Sequence, residues 1–224
     1  MNIVNSIKND SNIILKGLLT HAGHSYNVSS VNQILTIHKT SIDVMLSIKR
    51  FLEENGHQNL LISIGDTPTC SLAENFLEID EIRPGNFIFY DIKQWSIGVC
   101  SIDDIAVAMA CPVVGKNDER LEIVLYGGAI HFSKDYIKDS EGRKIFGYLA
   151  SFNGKTWESI NRNCYLKSLS QEHGILKVEK SIFDKIIIGE LVYILPIHSC
   201  LCVDLMPNFQ SLNGKKYMIG KYFK

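Results

Sequence analysis

IILKGLLTHAGHSYNVSS, residues 13–30, is the stretch on which the reading of the fold turns. Its apolar run Ile13 to Thr20 has the length of a buried strand and stops at a polar cluster, His21-Ala22-Gly23-His24-Ser25-Tyr26. That pattern predicts a strand that delivers a functional loop. Helical spacing follows at once: Val31, Ile34, Leu35, Ile37, Ile42, Met45, Leu46, Ile48 and Leu52 recur at helical steps across residues 31–54, and Asn55-Gly56 supplies the stop.

Working outward, Leu60 to Ile64 reads as a second buried strand, followed by the turn-rich GDTPTCS, a short helical stretch and a third strand near Asn86 to Tyr90. Strand, helix, strand, loop, strand is the rhythm of parallel β/α units. Beyond Asp91 the texture changes to shorter β-rich runs, Ile105 to Val114, Leu121 to Leu125, Lys144 to Phe152 and Leu191 to Leu195, separated by GK, GG, NG and EHG turns. The expectation is therefore α/β plus β: a β/α region over residues 1–91 and a mainly antiparallel β domain over residues 92–224. Three parallel strands and one long helix cannot cover both faces and both edges of a sheet. Either another chain covers them, or the region is the end of a longer closed barrel.

Bulk properties narrow the function classes. The 23 basic and 24 acidic residues leave a formal net charge of -1, which offers no electrostatic footprint for nucleic acid. No apolar run approaches the ~18 residues of a membrane span. The opening MNIVNSIKNDSNIILKG, residues 1–17, lacks the order of a secretory signal, so a cytoplasmic location is expected. The six cysteines contain no Cys-x-x-Cys pair and are too scattered for a disulfide scaffold.

Three polar clusters sit where the β/α strands end: the one at His21, then Gly65-Asp66-Thr67-Pro68-Thr69, then Arg83-Pro84-Gly85-Asn86. Small residues with accessible N–H groups, flanked by hydroxyls, suit a phosphate, although Gly and Pro also simply mark turns. In the late segment LPIHSCLC, residues 195–202, a strand would project His198, Cys200 and Cys202 to one face. Imidazole and thiolate are zinc ligands; a buried thiol beside a hydrogen-bonded histidine is the other reading.

Five blocks, GLLTHAGHSY, ISIGDTPTCS, DEIRPGNFIFYD, SQEHGIL and LPIHSC, resemble in order those of the D-serine dehydratase and D-threonine aldolase family, fold type III pyridoxal-phosphate (PLP) enzymes related to alanine racemase. The resemblance reaches from end to end of the chain and implies the last strands of a PLP-binding (β/α)8 TIM barrel followed by the family's β domain. It implies that His21 lies beside the cofactor ring, that Tyr26 reaches the PLP, and that Gly65, Asp66, Thr67, Gly85 and Asn86 surround the phosphate. Arg83 matches a position that in alanine racemase reaches the pyridine nitrogen.

The same resemblance implies that His198 and Cys200 bind zinc, since the zinc-dependent D-serine dehydratases carry His-x-Cys here and the aldolases place an oxygen ligand at the second position. It implies a small D-β-hydroxy amino acid as substrate, elimination rather than retro-aldol cleavage, and a homodimer or a complementing N-terminal half as partner. The family's Schiff-base lysine stands on the first barrel strand, upstream of the GLLTHAGHSY block, and none of these 224 residues takes its place. A D-threonine aldolase-type retro-aldol lyase, a non-catalytic PLP- or metal-binding remnant and a β-domain interaction module are the alternatives. The turn at Gln171-Glu172-His173-Gly174 matches a family turn near the substrate or dimer face.

Overall fold

A computed structural model of the chain describes Val4, Ser6, Asp10 and residues 12–218, which divide into two compact units, residues 1–87 with 97–99 and residues 88–96 with 100–224. In the first unit three strands, β1 (Gly17–His21), β2 (Leu61–Gly65) and β3 (Glu81–Ile82), run parallel in chain order. Register is tight enough between the first two that a Cβ on Gly17 would stand 2.2 Å from the Leu61 carbonyl oxygen, so only glycine fits there.

The helix read from the spacing spans Val31–Glu54, its first turn capped by the Ser30 hydroxyl, which accepts from the Gln33 N–H. Alternation then decides which sheet face it covers. Ile62 and Ile64 point into a core with Met45 of that helix and Cys70 of the short helix Thr67–Leu72. The opposite face carries Leu19, 67% exposed, and Leu61, 41% exposed, together with Ser63, Glu81 and Arg83. A parallel sheet is normally covered on both faces, and among the described residues helices cover one face of this one.

The third strand lies earlier than the expected Asn86 to Tyr90. Residues Asn86–Ile88 form a single 3₁₀ turn, because the Asn86 N–H donates to the Thr67 hydroxyl, 3.0 Å, instead of entering a ladder.

In the second unit β4 (Met109–Asn117), β5 (Glu122–Tyr126), β8 (Gly147–Ala150), β9 (Tyr165–Leu169), β10 (His173–Lys177) and β11 (Leu191–Pro196) close a six-stranded barrel in the order β10-β5-β4-β11-β8-β9. Every pairing in it is antiparallel, as the β-rich texture predicts. Closure leaves no unpaired edge, which the sequence pattern did not reveal. Alternate residues, among them Cys111, Val113, Ile123, Leu125, Leu166, Leu176, Val192 and Ile194, fill the interior. Full burial of each such aliphatic side chain contributes roughly 1.5–3 kcal/mol. Two short antiparallel ribbons complete the described β structure, β6 (Ile137–Lys138) with β7 (Lys144–Ile145), and β12 (Asn208–Gln210) with β13 (Lys216–Met218).

The segment Leu195–Cys202 is not one strand. β11 ends at Pro196 and a short helix, Ser199–Leu205, starts after His198. Helical residues turn about 100° each, so Cys200 and Cys202 leave the axis on different sides and do not share a face.

Candidate functional site: a strand-end cluster and a His–Cys turn

At the C-terminal ends of β1, β2 and β3 the first unit gathers most of the residues singled out from the sequence. His21 is the last residue of β1 and pairs in register with Gly65, the last of β2. The following 3₁₀ turn, Gly23–Asn27, brings the Tyr26 ring to 6.4 Å from the His21 ring in a stacked orientation. The Tyr26 hydroxyl accepts from the Thr67 N–H at 3.3 Å, and the Thr67 hydroxyl accepts from Asn86, so three separate loops are tied together.

Asp66 holds this junction. Its backbone is in an unusual left-handed conformation, φ 126°, and its carboxylate accepts from the Thr69 N–H (2.8 Å), the Thr69 hydroxyl (2.8 Å) and the Ser25 hydroxyl (2.9 Å). The buried carboxylate thus caps the helix Thr67–Leu72 and anchors the loop after β1.

Arg83 lies across the sheet face free of helices. Its Nε donates to the Ser63 hydroxyl (2.7 Å) and its Nη2 to the Thr20 carbonyl (2.8 Å), while Ser63 also bonds Glu81. A Cβ on Gly65 would lie 3.0 Å from Nη1, so the glycine makes room for the guanidinium. Around Gly85 the space is open, with no heavy atom within 4 Å of a Cβ built there. A phosphate needs hydroxyl and backbone donors at glycine-lined positions with positive charge nearby; Gly85 offers the open space and Arg83 the charge, while the buried Thr67 hydroxyl already accepts from Asn86 and the guanidinium fills the space beside Gly65.

In the second unit His198 and Cys200 come together. His198 precedes the helix Ser199–Leu205, and its Nδ1 lies 2.8 Å from Asp135 Oδ2. A hydrogen bond with the Cys200 side chain raises the imidazole to a pKa of about 9; burial opposes this, and Asp135 and Asp91 reinforce it. With Nδ1 committed to Asp135, Nε2 is the nitrogen left for a metal. Imidazole and thiol are the donor set of zinc, and two protein ligands would leave two positions of a tetrahedron open. Among the described residues no group of three or more His, Cys, Asp or Glu converges as a metal cage, so any centre here rests on this pair.

Three residues around this turn had no assigned role in the sequence. Asp91, 2% exposed, accepts from the Gln94 N–H (2.9 Å) and from the Ser199 N–H (3.2 Å), and so caps two helix starts. The Ser199 hydroxyl donates to the Tyr90 carbonyl. Cys202 is no third ligand: its buried thiol, pushed up to about 12 by desolvation, donates to the Phe132 carbonyl at 3.6 Å. His173 opens β10 on an exposed aromatic cluster, its ring 6.0 Å from that of Tyr126.

Residues 106–212 match the family model described as the putative serine dehydratase domain. The D-serine dehydratase of Dictyostelium discoideum is 28% identical over 220 residues, covering 92% of this chain and 53% of that protein. The D-threo-3-hydroxyaspartate dehydratase of Delftia sp. (strain HT23) is 27% identical over 210 residues, 91% of this chain and 54% of its own length. The chain thus spans about half the length of the curated relatives it matches.

Among solved structures, an alanine racemase-like protein of Idiomarina loihiensis superposes with a TM-score of 0.80 at 27% identity, over 90% of this chain and 54% of that one. The Delftia dehydratase has been solved as a cysteine-to-alanine variant in a metal-free form, TM-score 0.79, 25% identity, over 91% of this chain and 55% of its own. A histidine-to-alanine variant of it, replaced two positions before that cysteine, matches with the same TM-score and identity over 91% of this chain and 53% of that one. Family model, curated relatives and solved structures point the same way: the chain is similar to the C-terminal part of the D-serine dehydratases.

Proposed function

We propose that this chain contributes the phosphate-binding strand ends and the metal ligands of a lyase that removes water from D-β-hydroxy amino acids. The observation that carries the reading is the His198–Cys200 pair: an imidazole and a thiol in hydrogen-bond contact, with the outer ring nitrogen held by a carboxylate. The two Delftia variants replace a histidine and a cysteine at the same His-x-Cys spacing, and the cysteine variant has been solved in a metal-free form, which supports a metal at this pair. Thiolate favours zinc over the oxygen-seeking divalent ions.

In this reading Gly65, Thr67, Gly85 and Asn86 hold the phosphate of pyridoxal 5'-phosphate, and Asp66 keeps their loop in shape from behind. His21 and Tyr26 flank the ring, and Arg83 places a fixed positive charge beside it. The cofactor, when bound, supplies an electron sink that acidifies the substrate's α-hydrogen. His198 and Cys200 hold zinc, which supplies Lewis acidity toward the β-hydroxyl and makes it a better leaving group. The lysine that would anchor the cofactor and move the α-proton would come from the half of the curated relatives that lies beyond the matched region. That half would also cover the sheet face on which Leu19 and Leu61 are exposed, completing a (β/α)8 barrel.

X-ray absorption on the zinc-loaded chain tests the ligand assignment. One sulfur at about 2.3 Å and one or more nitrogens or oxygens near 2.0–2.1 Å are expected. Cys200→Ala should remove the sulfur shell. A wild-type zinc shell made only of nitrogen and oxygen would refute the reading.

A further inference from the structure

We infer that Asp135 is the positioning residue of the metal pair: it holds His198 in the tautomer and ring orientation that turns Nε2 toward the site shared with Cys200. The inference rests on the zinc reading above and assigns a role to a residue that stands 63 positions before His198 in the chain.

The geometry is specific. Asp135 Oδ2 lies 2.8 Å from His198 Nδ1. An imidazole carries its metal on one nitrogen, and the proton on the other decides which nitrogen is free to bind; a carboxylate on Nδ1–H fixes that proton and raises the basicity of Nε2. Metal-bound histidines commonly have such an outer partner.

The local structure also places Asp135. The short helix Ala129–Phe132 ends at Ser133, whose φ of 66° puts a non-glycine residue in the left-handed region. The Asp135 N–H then donates to the Ser133 hydroxyl at 3.2 Å. The helix end is tied to the metal-bearing helix, because the Cys202 thiol donates to the Phe132 carbonyl and both residues are buried. A run of contacts thus leads from Cys202 through Phe132 and Ser133 to Asp135, and from there back to His198. The other carboxylate near the turn, Asp91, accepts from the backbone N–H groups of Gln94 and Ser199.

The test is zinc affinity of the chain, measured by competition with a chromophoric chelator, for wild type, Asp135→Ala, Asp135→Asn and Cys200→Ala. Loss of an outer partner of a metal histidine typically costs about 10- to 100-fold in affinity, and that loss is expected for Asp135→Ala. Asp135→Asn keeps an oxygen that accepts from Nδ1–H and should recover most of the affinity. Cobalt substitution adds a signature that a general loss of structure would not produce. Cobalt-saturated Asp135→Ala should keep the thiolate-to-cobalt absorption of Cys200 while its ligand-field bands shift, and the thermal midpoint of the metal-free variant should match wild type. Zinc affinity of Asp135→Ala within twofold of wild type would overturn the inference and leave the zinc site standing. Absence of zinc binding by wild type would bring down the zinc reading and this inference with it.

Discussion

At the residue scale, single carboxylates do more of the positioning than the side chains that carry the chemistry. Asp91 closes the block Arg83-Pro84-Gly85-Asn86-Phe87-Ile88-Phe89-Tyr90-Asp91, and its carboxylate serves the first N–H groups of two helices far apart in sequence. Asp91→Ala leaves both orphaned inside the protein and is expected to destabilise the second unit by about 2–3 kcal/mol, read from denaturant unfolding. Asp91→Asn retains one acceptor oxygen and should cost less than half of that. Equal stability of wild type and Asp91→Ala would contradict the double-cap account. Asp66 plays the corresponding part at the strand ends, and its left-handed backbone is compensated by three hydrogen bonds. Sequence reading placed Asp66 among phosphate contacts because it stands between Gly65 and Thr67; its inward carboxylate depends on Ser25, which no local pattern couples to it.

At the element scale, the long helix and the second strand were legible because apolar periodicity is a local signal and each repeats it over enough residues, whereas the first strand begins at Gly17 and not at Ile13, with Ile13 and Ile14 exposed before it. Two misreadings have one cause. FIFY and HSCLC look like strand in isolation, but the first is diverted when the Asn86 N–H bonds Thr67, and the second is turned into helix where Ser199 meets Asp91. Both outcomes are decided by partners remote in sequence. Barrel closure was illegible for the same reason, since no single strand records that β9 returns to β10 and β8.

Closure brings its own electrostatics. Glu122 at the start of β5 bonds Lys167 (2.6 Å) and Arg120 (3.0 Å), and the bond to Lys167 leads the causes that hold its carboxyl below the ordinary range. A depressed folded-state pKa stabilises above the unfolded value of about 4.3 and loses that contribution as pH falls through the folded one. Glu122→Gln should therefore cost about 1 kcal/mol near neutral pH, the two cations being partly in solvent, and the difference should fade below about pH 4. Urea unfolding across that range measures it. A gap between wild type and variant that persists in acid would contradict the ion-pair account.

At the scale of the whole molecule, the chain contains two kinds of completeness. The antiparallel barrel closes on itself, whereas the parallel sheet has a face, lined by Leu19, Leu61, Ser63, Glu81 and Arg83, that no helix among the described residues covers. The chain's match to about half of each curated relative agrees with that contrast. The likeness to the D-serine dehydratases was readable because five motifs lie in order along the sequence; the contact of Asp135 with His198 was not, because it exists only in space.

Joined to the half of its relatives that it does not match, this chain is proposed to make a metal-dependent dehydratase. The direct measurement is product analysis of that assembly with D-serine, pyridoxal 5'-phosphate and zinc. Pyruvate and ammonia in equal amounts, abolished by chelator and by Cys200→Ala, are the predicted result. Glycine with release of an aldehyde, or elimination that proceeds unchanged in Cys200→Ala, would contradict it.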